Sequence, residues 1–214
     1  MTEKVVAVRE LVVRDTSAIE PDLASFLDLE EHLTYEVRYP QEVPCGLLIY
    51  ISPKSGASVP PGWADVLDKL GLIWVGAHDS GNDVHVARRV CMALLASQVV
   101  DCELPAILSG FSGGGRVASM MMQTHPARFA GAVFLCGANP MFTVLETTLQ
   151  ILEKRPLVFL TGTGDFNLQD TRMAHATYVQ AGAQQAELMV IDDLGHELPC
   201  ADVLQAALVK AIAR

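Results

Sequence analysis

The chain has 214 residues and a mass of 23.1 kDa, which is the size of one domain spanning residues 1–214. Fifteen lysines and arginines against 25 aspartates and glutamates give a formal net charge of −10. That balance is a poor match for the basic surfaces that bind nucleic acid or anionic membranes, so neither is expected as a partner. Half of the residues are hydrophobic, which excludes an intrinsically disordered chain.

The hydrophobic residues do not form a membrane anchor. No apolar run approaches the roughly 18–20 residues that a helix needs to cross a bilayer, and the longest covers only residues 130–138. The first twenty residues alternate charged and apolar positions and lack the apolar core of a signal peptide. The five cysteines include no CxxC pair, which argues against a zinc site or a disulfide framework. We therefore expect free thiols, no metal, no cofactor and a cytoplasmic location.

Along the chain, the pattern of hydrophobic residues changes near residue 46. Before it, strands are predicted at 5–13 and 33–39, with an acidic, turn-rich segment and a short helix at 23–29 between them. After it, short apolar runs alternate with segments of helical periodicity. The predicted strands are 46–51, 72–77, 106–111, 130–136, 156–161 and 187–191, and the predicted helices are 63–70, 84–99, 113–125, 142–153, 168–181 and 198–212. Arg88 and Arg89 are expected to face solvent.

This alternation predicts an α/β fold with a mostly parallel central sheet and helices on both of its faces. Ligands of such sheets lie beyond the carboxyl ends of the strands, so functional residues are sought directly after each strand. About twenty residues separate the predicted strands 130–136 and 156–161. That interval has room for one short helix and no large cap domain.

The segment Gly110-Phe111-Ser112-Gly113-Gly114 matches the G-x-S-x-G signature and lies between a predicted strand and a predicted helix. Glycines at these positions let the chain turn sharply and expose the serine hydroxyl at the top of the sheet. Outside that context the same five residues would be an ordinary glycine-rich turn. The context favours Ser112 as a nucleophile.

A serine nucleophile needs a base, and the base needs an orienting carboxylate. Asp165 follows the predicted strand 156–161 in the segment Thr163-Gly164-Asp165, which places it at a carboxyl end of the sheet. The alternative interpretation is a turn or helix-capping aspartate. Asp170 is a competing candidate, but it falls inside the predicted helix 168–181. We predict Asp165 as the acid.

His196 follows the last predicted strand and precedes the last predicted helix, in the order Ser, acid, His that this kind of sheet uses. The alternative is a solvated loop histidine. Of the remaining histidines, His32, His85, His125 and His175 are expected as surface or capping residues. His78 precedes Ser112 and is in the wrong order for the base. We predict His196 as the general base.

Backbone N–H groups are needed to stabilise the oxyanion that forms during acyl transfer. Gly113 offers one at the start of a helix, where the helix dipole favours negative charge. The second should come from the loop after strand 46–51, which reads Ser52-Pro53-Lys54. Pro53 has no N–H, so the amides of Lys54 and Ser52 are the candidates.

From Gly81 onward the chain resembles small, lidless α/β-hydrolases of the polyhydroxybutyrate-depolymerase-like and feruloyl-esterase-like esterase group. The matching stretches are GNDVHVARRV (81–90), SGFSGGGRVASMM (109–121), HPARFAGAVFLCGANP (125–140), LTGTGDFN (160–167) and DLGHELP (193–199). Ser112, Asp165 and His196 fall on the group's triad positions. The group's usual His-Gly after the third strand is replaced by Ser52-Pro53. Asn82 matches a preferred position and is expected to cap the next helix rather than to touch substrate.

The resemblance implies an α/β-hydrolase fold and a serine carboxylesterase that forms an acyl-enzyme on small soluble esters. An acyl-thioesterase or acyl-protein thioesterase would use the same triad and stays open as an alternative. A non-catalytic binding protein on the same scaffold is a third option. Secreted depolymerases carry a signal peptide and a polymer-binding module, so hydrolysis of an extracellular polymer is not expected. The oligomeric state is left open, with a homodimer as one option.

Overall fold

The computed structural model of the protein describes residues 6–100 and 103–212. Across these residues the chain forms one sheet of eight strands. The strands are β1 (Val6–Val12), β2 (His32–Arg38), β3 (Gly46–Ile51), β4 (Leu72–Ala77), β5 (Ala106–Phe111), β6 (Gly131–Leu135), β7 (Leu157–Gly162) and β8 (Ala186–Ile191). Their spatial order is β1-β2-β4-β3-β5-β6-β7-β8.

Seven α-helices accompany the sheet in the same residues. They are α1 (Pro21–Ala24), α2 (Ala64–Leu70), α3 (Val86–Leu95), α4 (Gly113–Thr124), α5 (Glu146–Leu152), α6 (Leu168–Gln180) and α7 (Ala201–Ala211). Short 3₁₀ helices follow α3 at Ala96–Val99 and α4 at Pro126–Arg128. None of the helices in the described part of the chain has the length and apolar character needed to cross a membrane.

The strand pairing explains the position of the functional residues. Strands β3 to β8 are parallel, whereas β1 pairs antiparallel with β2, and β2 pairs antiparallel with β4. The strands β3, β4, β5, β6 and β7 are buried along almost their whole length, because helices cover both faces of the sheet. The carboxyl ends of β5, β7 and β8 therefore meet at one edge of the sheet.

Two apolar layers hold the helices against the sheet. One layer includes side chains of α3, α4 and α6, with Tyr178 and Phe159 among its fully buried members. The other includes side chains of α2 and α7 and contains Trp63 and Trp74. The indole N–H of Trp74 donates to the carbonyl of Ala57 at 2.9 Å, which fastens the loop after β3 to the sheet.

The sequence predicted the strands closely and the helix ends less well. Strands 46–51, 72–77 and 106–111 are confirmed to the residue, and the other strands after residue 46 to within one residue at each end. The predicted helix 23–29 is misplaced, since α1 shares only residues 23 and 24 with it, and helix 142–153 shortens to α5. Between β6 and β7 the described chain adds α5 and connecting loops, with no cap domain.

Two predictions concern residues near the gaps in the described chain. Residue 5, the first of the predicted strand 5–13, and Cys102 lie outside the described residues. The other four cysteines are free thiols, as expected, with Cys91 and Cys136 buried and Cys45 and Cys200 exposed.

The expectation that Arg88 and Arg89 both face solvent is wrong for Arg89. Arg88 is partly exposed, pairs with Glu31 and donates to the carbonyl of Phe26 at 3.2 Å. Arg89 is only 5% exposed and extends beneath the loop that follows β3. The segment around α1 packs against α3, so more of this helix is enclosed than its own periodicity indicates.

Candidate active site

Ser112 lies on a sharp turn between β5 and α4. Its backbone has φ 53° and ψ −119°, a conformation rarely adopted by residues other than glycine. The turn is held because the Ser112 N–H donates to the carbonyl of Leu135 at 2.8 Å. The Ser112 carbonyl accepts from the N–H of Arg116 at 3.1 Å, which begins the helical hydrogen bonding of α4. Strain of this kind is characteristic of functional sites.

Glycines next to Ser112 are required by space. A Cβ atom at Gly114 would lie 1.9 Å from the carbonyl oxygen of Ile51, and one at Gly110 would lie 2.4 Å from the carbonyl carbon of Gly114. Both distances are far below van der Waals contact, so a side chain at either position would displace backbone. The glycines of the motif therefore bring the start of α4 against the end of β3.

Asp165 occupies the loop directly after β7 and is 4% exposed. Its Oδ1 accepts from the N–H of Asn167 at 2.9 Å, and its Oδ2 accepts from the hydroxyl of Thr161 at 2.7 Å. Burial alone would raise the pKa of this carboxyl. The hydrogen bonds from Asn167, Thr161 and His196 outweigh burial and hold the pKa of Asp165 below its ordinary value. Asp165 is therefore a carboxylate at neutral pH.

The structure brings Ser112, Asp165 and His196 together. His196 Nδ1 lies 2.8 Å from Asp165 Oδ1, and His196 Nε2 lies 2.9 Å from Ser112 Oγ. A neutral imidazole protonated on Nδ1 donates to the aspartate and leaves Nε2 free to accept the serine hydroxyl proton. This arrangement has the geometry of a nucleophile, a base and an orienting acid.

Two aromatic rings contact the imidazole of His196. The centroid of Phe166 lies 4.0 Å from that of His196, and the centroid of Phe111 lies 5.0 Å from it. Phe166 is 77% exposed although it is apolar. No sequence pattern indicates a role for Phe166, because a contact between residues 30 positions apart leaves no trace in the local spacing of apolar residues.

Cys136 lies behind the aspartate, at the end of β6. It is fully buried, has φ 50°, and directs its thiol towards the carbonyl of Glu197 at 3.6 Å. Burial, with the negative charge of Asp165 adding to it, raises the pKa of this thiol well above its ordinary value. Cys136 therefore remains a neutral thiol, and as a free thiol it agrees with the expectation for the cysteines.

The candidate oxyanion residues stand next to the serine turn. Gly113 is the first residue of α4. Ser52 follows β3 directly and is 7% exposed, and its hydroxyl accepts the N–H of Lys54 at 3.1 Å. The Lys54 amide therefore has a partner within its own loop. Because β3 pairs with β5 in register Ile51 to Gly110, this loop lies alongside the strand that leads to Ser112.

Asn82 does not cap a helix, so that prediction is wrong. The helix α3 begins at Val86, and the imidazole of His85 caps it by accepting the N–H of Ala87 at 3.3 Å. The side chain of Asn82 lies over Gly113, where a Cβ would be 2.1 Å from Asn82 Oδ1. Asn82 therefore lies beside the candidate site, next to the first residue of α4.

Asp170, the competing acid, lies in α6 and pairs with Arg116 at 2.8 Å. Arg116 also donates to Asn167 Oδ1 at 3.2 Å. The amide of Asn167 in turn donates to the carbonyl of Cys136 at 2.9 Å. These contacts join the loops after β6 and β7 to the helix that follows Ser112.

A cleft of about 270 Å³ is lined by Phe111, which precedes Ser112 and lies against the ring of His196. It lies between the loop after β3 and the side chains of Phe111 and Leu198, and Ser52 and Lys54 are part of its wall. Prolines 53, 60 and 61 also line it. A larger cleft of about 740 Å³ lies at the other edge of the sheet, near the start of β5, and is remote from the carboxyl ends of the strands.

No protein-family model and no curated protein sequence matches the chain. Solved structures do match its fold. S-formylglutathione hydrolase from Staphylococcus aureus superposes with a TM-score of 0.63 at 14% identity, covering 97% of this chain and 98% of its own. Carboxyl esterase 2 from the fungus Tuber melanosporum gives 0.64 at 13% identity, covering 99% and 85%. Acyl-protein thioesterase 2 from Zea mays gives 0.60 at 11% identity, covering 83% and 98%.

At these identities the similarity concerns the fold. The chain has the α/β-hydrolase fold in its small form without a cap, which confirms the predicted fold class. The resemblance to small esterases also holds at the level of architecture, because the structures that superpose on the chain are esterases and thioesterases.

Proposed function

We propose that the protein is a serine hydrolase that cleaves carboxylic esters of small soluble substrates through an acyl-enzyme. The observation that carries this proposal is the hydrogen-bonded relay from Ser112 through His196 to Asp165, with distances of 2.9 and 2.8 Å. Its position at the carboxyl ends of the strands, on an α/β-hydrolase scaffold, supports the same conclusion.

In the proposed mechanism His196 Nε2 removes the proton of the Ser112 hydroxyl while the oxygen attacks the ester carbonyl. Asp165 holds the imidazole in the required tautomer and stabilises the imidazolium that forms. The protonated His196 then gives its proton to the departing alcohol, which leaves an acyl group on Ser112. A water molecule, activated by the same imidazole, releases the acid and restores the serine.

The N–H of Gly113 is the first proposed donor to the oxyanion, because it lies at the N-terminus of α4 where the helix dipole is positive. The second donor is proposed from the amides of Ser52 and Lys54. For Lys54 this requires its N–H to exchange the Ser52 hydroxyl for the substrate oxyanion. Pro53, between them, has no N–H to offer.

The cleft beside Ser52 supports a small substrate. Its volume of about 270 Å³ is at or below the low end of ordinary ligand sites, and no cap domain extends it in the described chain. Prolines 53, 60 and 61 restrict the backbone around it, so the cleft has little freedom to widen for a long acyl chain.

The test is the hydrolysis of p-nitrophenyl esters of increasing acyl length by wild type and by Ser112→Ala. Wild type should prefer short acyl groups, and Ser112→Ala should lose about 10⁴-fold or more in kcat/KM. Equal hydrolysis by the two proteins would contradict the proposal. A wild type that favours long-chain esters would contradict the proposed substrate size alone.

Thioester hydrolysis is the second candidate, favoured by the fold similarity to S-formylglutathione hydrolase and to acyl-protein thioesterase 2. The same serine, histidine and aspartate perform both reactions. Matched oxygen and sulfur esters with the same acyl group separate the two, since kcat/KM for each pair reports the preference directly.

A further inference from the structure

We propose that Arg89 is a positioning residue that sets the geometry of the oxyanion loop, defined as residues 52–55. This inference rests on the proposed function, because it concerns the loop from which the second oxyanion donor is expected. The guanidinium of Arg89 donates from Nη2 to the carbonyl of Ser52 at 3.0 Å. The side chain comes from α3 and crosses 37 positions of sequence to reach the loop.

The oxyanion loop is held by its carbonyl groups. The Ser52 carbonyl accepts from Arg89, the Pro53 carbonyl accepts from the N–H of Asn82 at 3.0 Å, and the Ser55 carbonyl accepts from the N–H of Asp79 at 3.0 Å. A trans peptide directs its carbonyl and its N–H to opposite sides. Fixing the carbonyl of Pro53 therefore also fixes the direction of the Lys54 N–H.

Among these three restraints, Arg89 is the one made by a side chain. The N–H groups of Asn82 and Asp79 are backbone donors that any residue other than proline provides. The hydrogen bond to the Ser52 carbonyl, in contrast, needs a long side chain that ends in a donor. Asn82 thus sets the direction of the Lys54 N–H, whereas Arg89 holds the backbone of Ser52, the residue whose hydroxyl accepts that N–H.

Arg89 is a buried cation whose hydrogen bonding is incomplete. It is 5% exposed, and within residues 6–100 and 103–212 its Nε is buried without a hydrogen-bond partner. Burial lowers the pKa of Arg89, and the charge of Asp83 opposes that effect. A buried cation with incomplete hydrogen bonding costs free energy, so its retention calls for an explanation, and the hydrogen bond to the Ser52 carbonyl supplies one.

Arg88 provides a matched control on the same helix. It is a neighbouring arginine with similar length and charge, and it contacts Glu31 and the carbonyl of Phe26, away from the oxyanion loop. The variants Arg88→Met and Arg89→Met remove the same charge and keep a similar apolar length. A difference between them isolates the contact with Ser52.

The experiment measures kcat and KM for p-nitrophenyl acetate, with active sites counted by complete titration with a fluorophosphonate. Arg89→Met should lose about 10- to 50-fold in kcat per titrated site with little change in KM, because a positioning residue costs less than the donor it positions. Arg88→Met should stay within about twofold of wild type. Arg89→Lys, which keeps a cation, should lie between wild type and Arg89→Met.

Amide hydrogen exchange of Lys54, measured by NMR, gives a readout independent of activity. The Lys54 amide should exchange at least about tenfold faster in Arg89→Met than in Arg88→Met. The proposal is overturned if Arg89→Met and Arg88→Met have equal kcat per site, or if kcat falls while Lys54 exchange is unchanged. If Arg89→Met does not fold, Arg89→Lys must show lowered kcat with unchanged KM, and its failure to do so overturns the proposal.

These outcomes are distinct from a failure of the proposed function. A wild type that neither hydrolyses the ester nor reacts with the fluorophosphonate would contradict the function. The exchange of the Lys54 amide would still report whether Arg89 holds the loop.

Discussion

The two walls of the candidate site are built in different ways. On the acid wall, Asp165 accepts hydrogen bonds from Thr161, Asn167 and His196, so its carboxylate is fully engaged and buried. On the oxyanion wall, the Ser52 carbonyl has a single side-chain donor, Arg89, which is itself incompletely paired. The acid wall is held by two side chains and one backbone N–H, whereas only one of the three hydrogen bonds to the carbonyls of the oxyanion loop comes from a side chain.

This difference suggests a division of roles. A carboxylate held by several donors keeps its charge and orientation under perturbation, which suits a group that must hold an imidazole in one tautomer. In the oxyanion loop the Lys54 amide donates only to the hydroxyl of Ser52, a neutral acceptor that it can exchange for an oxyanion. The comparison predicts that the two walls respond differently to substitution.

The largest effect should come from the acid wall. Asp165→Asn keeps the shape of the side chain but removes the charge and favours the wrong tautomer of His196. We expect kcat to fall about 10³- to 10⁴-fold. Stopped-flow or steady-state hydrolysis of p-nitrophenyl acetate measures it, and a loss below about tenfold would show that Asp165 does not orient the base.

The oxyanion wall should respond next, with the 10- to 50-fold loss expected for Arg89→Met. If Arg89→Met lowered kcat as much as Asp165→Asn does, the two walls would not differ in their response to substitution, which would contradict the comparison. A smaller loss of kcat in Arg89→Lys than in Arg89→Met would show that the oxyanion wall tolerates partial replacement of its donor.

The smallest effect concerns stability and pH. The pKa of Asp165 lies below its ordinary value of 3.8, so its ionised form stabilises the fold above that value. That contribution is lost as the pH falls through the lower, folded-state pKa. The difference in free energy of unfolding between wild type and Asp165→Asn should therefore be steady near about pH 5–6 and shrink below about pH 4. Urea unfolding across this range measures it; a difference that grew on acidification would contradict the assigned hydrogen bonds.

The sequence indicated the acid wall well because each of its residues follows a strand. Ser112, Asp165 and His196 come directly after or shortly after β5, β7 and β8, and parallel strands bring such positions to one edge. The glycines around Ser112 added a local signal, since their spacing is required by the approach of Ile51 and Gly114.

The oxyanion wall was less predictable because its contacts are tertiary. A charged residue on a helix is ordinarily exposed, so periodicity placed Arg89 in solvent. Arg89 lies among residues of β3, the end of β4 and the loop after β4, and its acceptor is 37 positions away, so neither is visible in the local pattern. Asn82 was misplaced for a related reason, because the helix after it begins at Val86, three residues later than a cap at Asn82 requires.

The most direct test of the central claim is covalent labelling of Ser112. Intact-protein mass spectrometry after incubation with a fluorophosphonate should show one adduct per chain, and peptide mapping should place it on Ser112. Ser112→Ala should remain unlabelled under the same conditions, as should wild type unfolded in urea. An adduct elsewhere, or no adduct on folded wild type, would contradict the account and would favour a binding protein on a hydrolase scaffold.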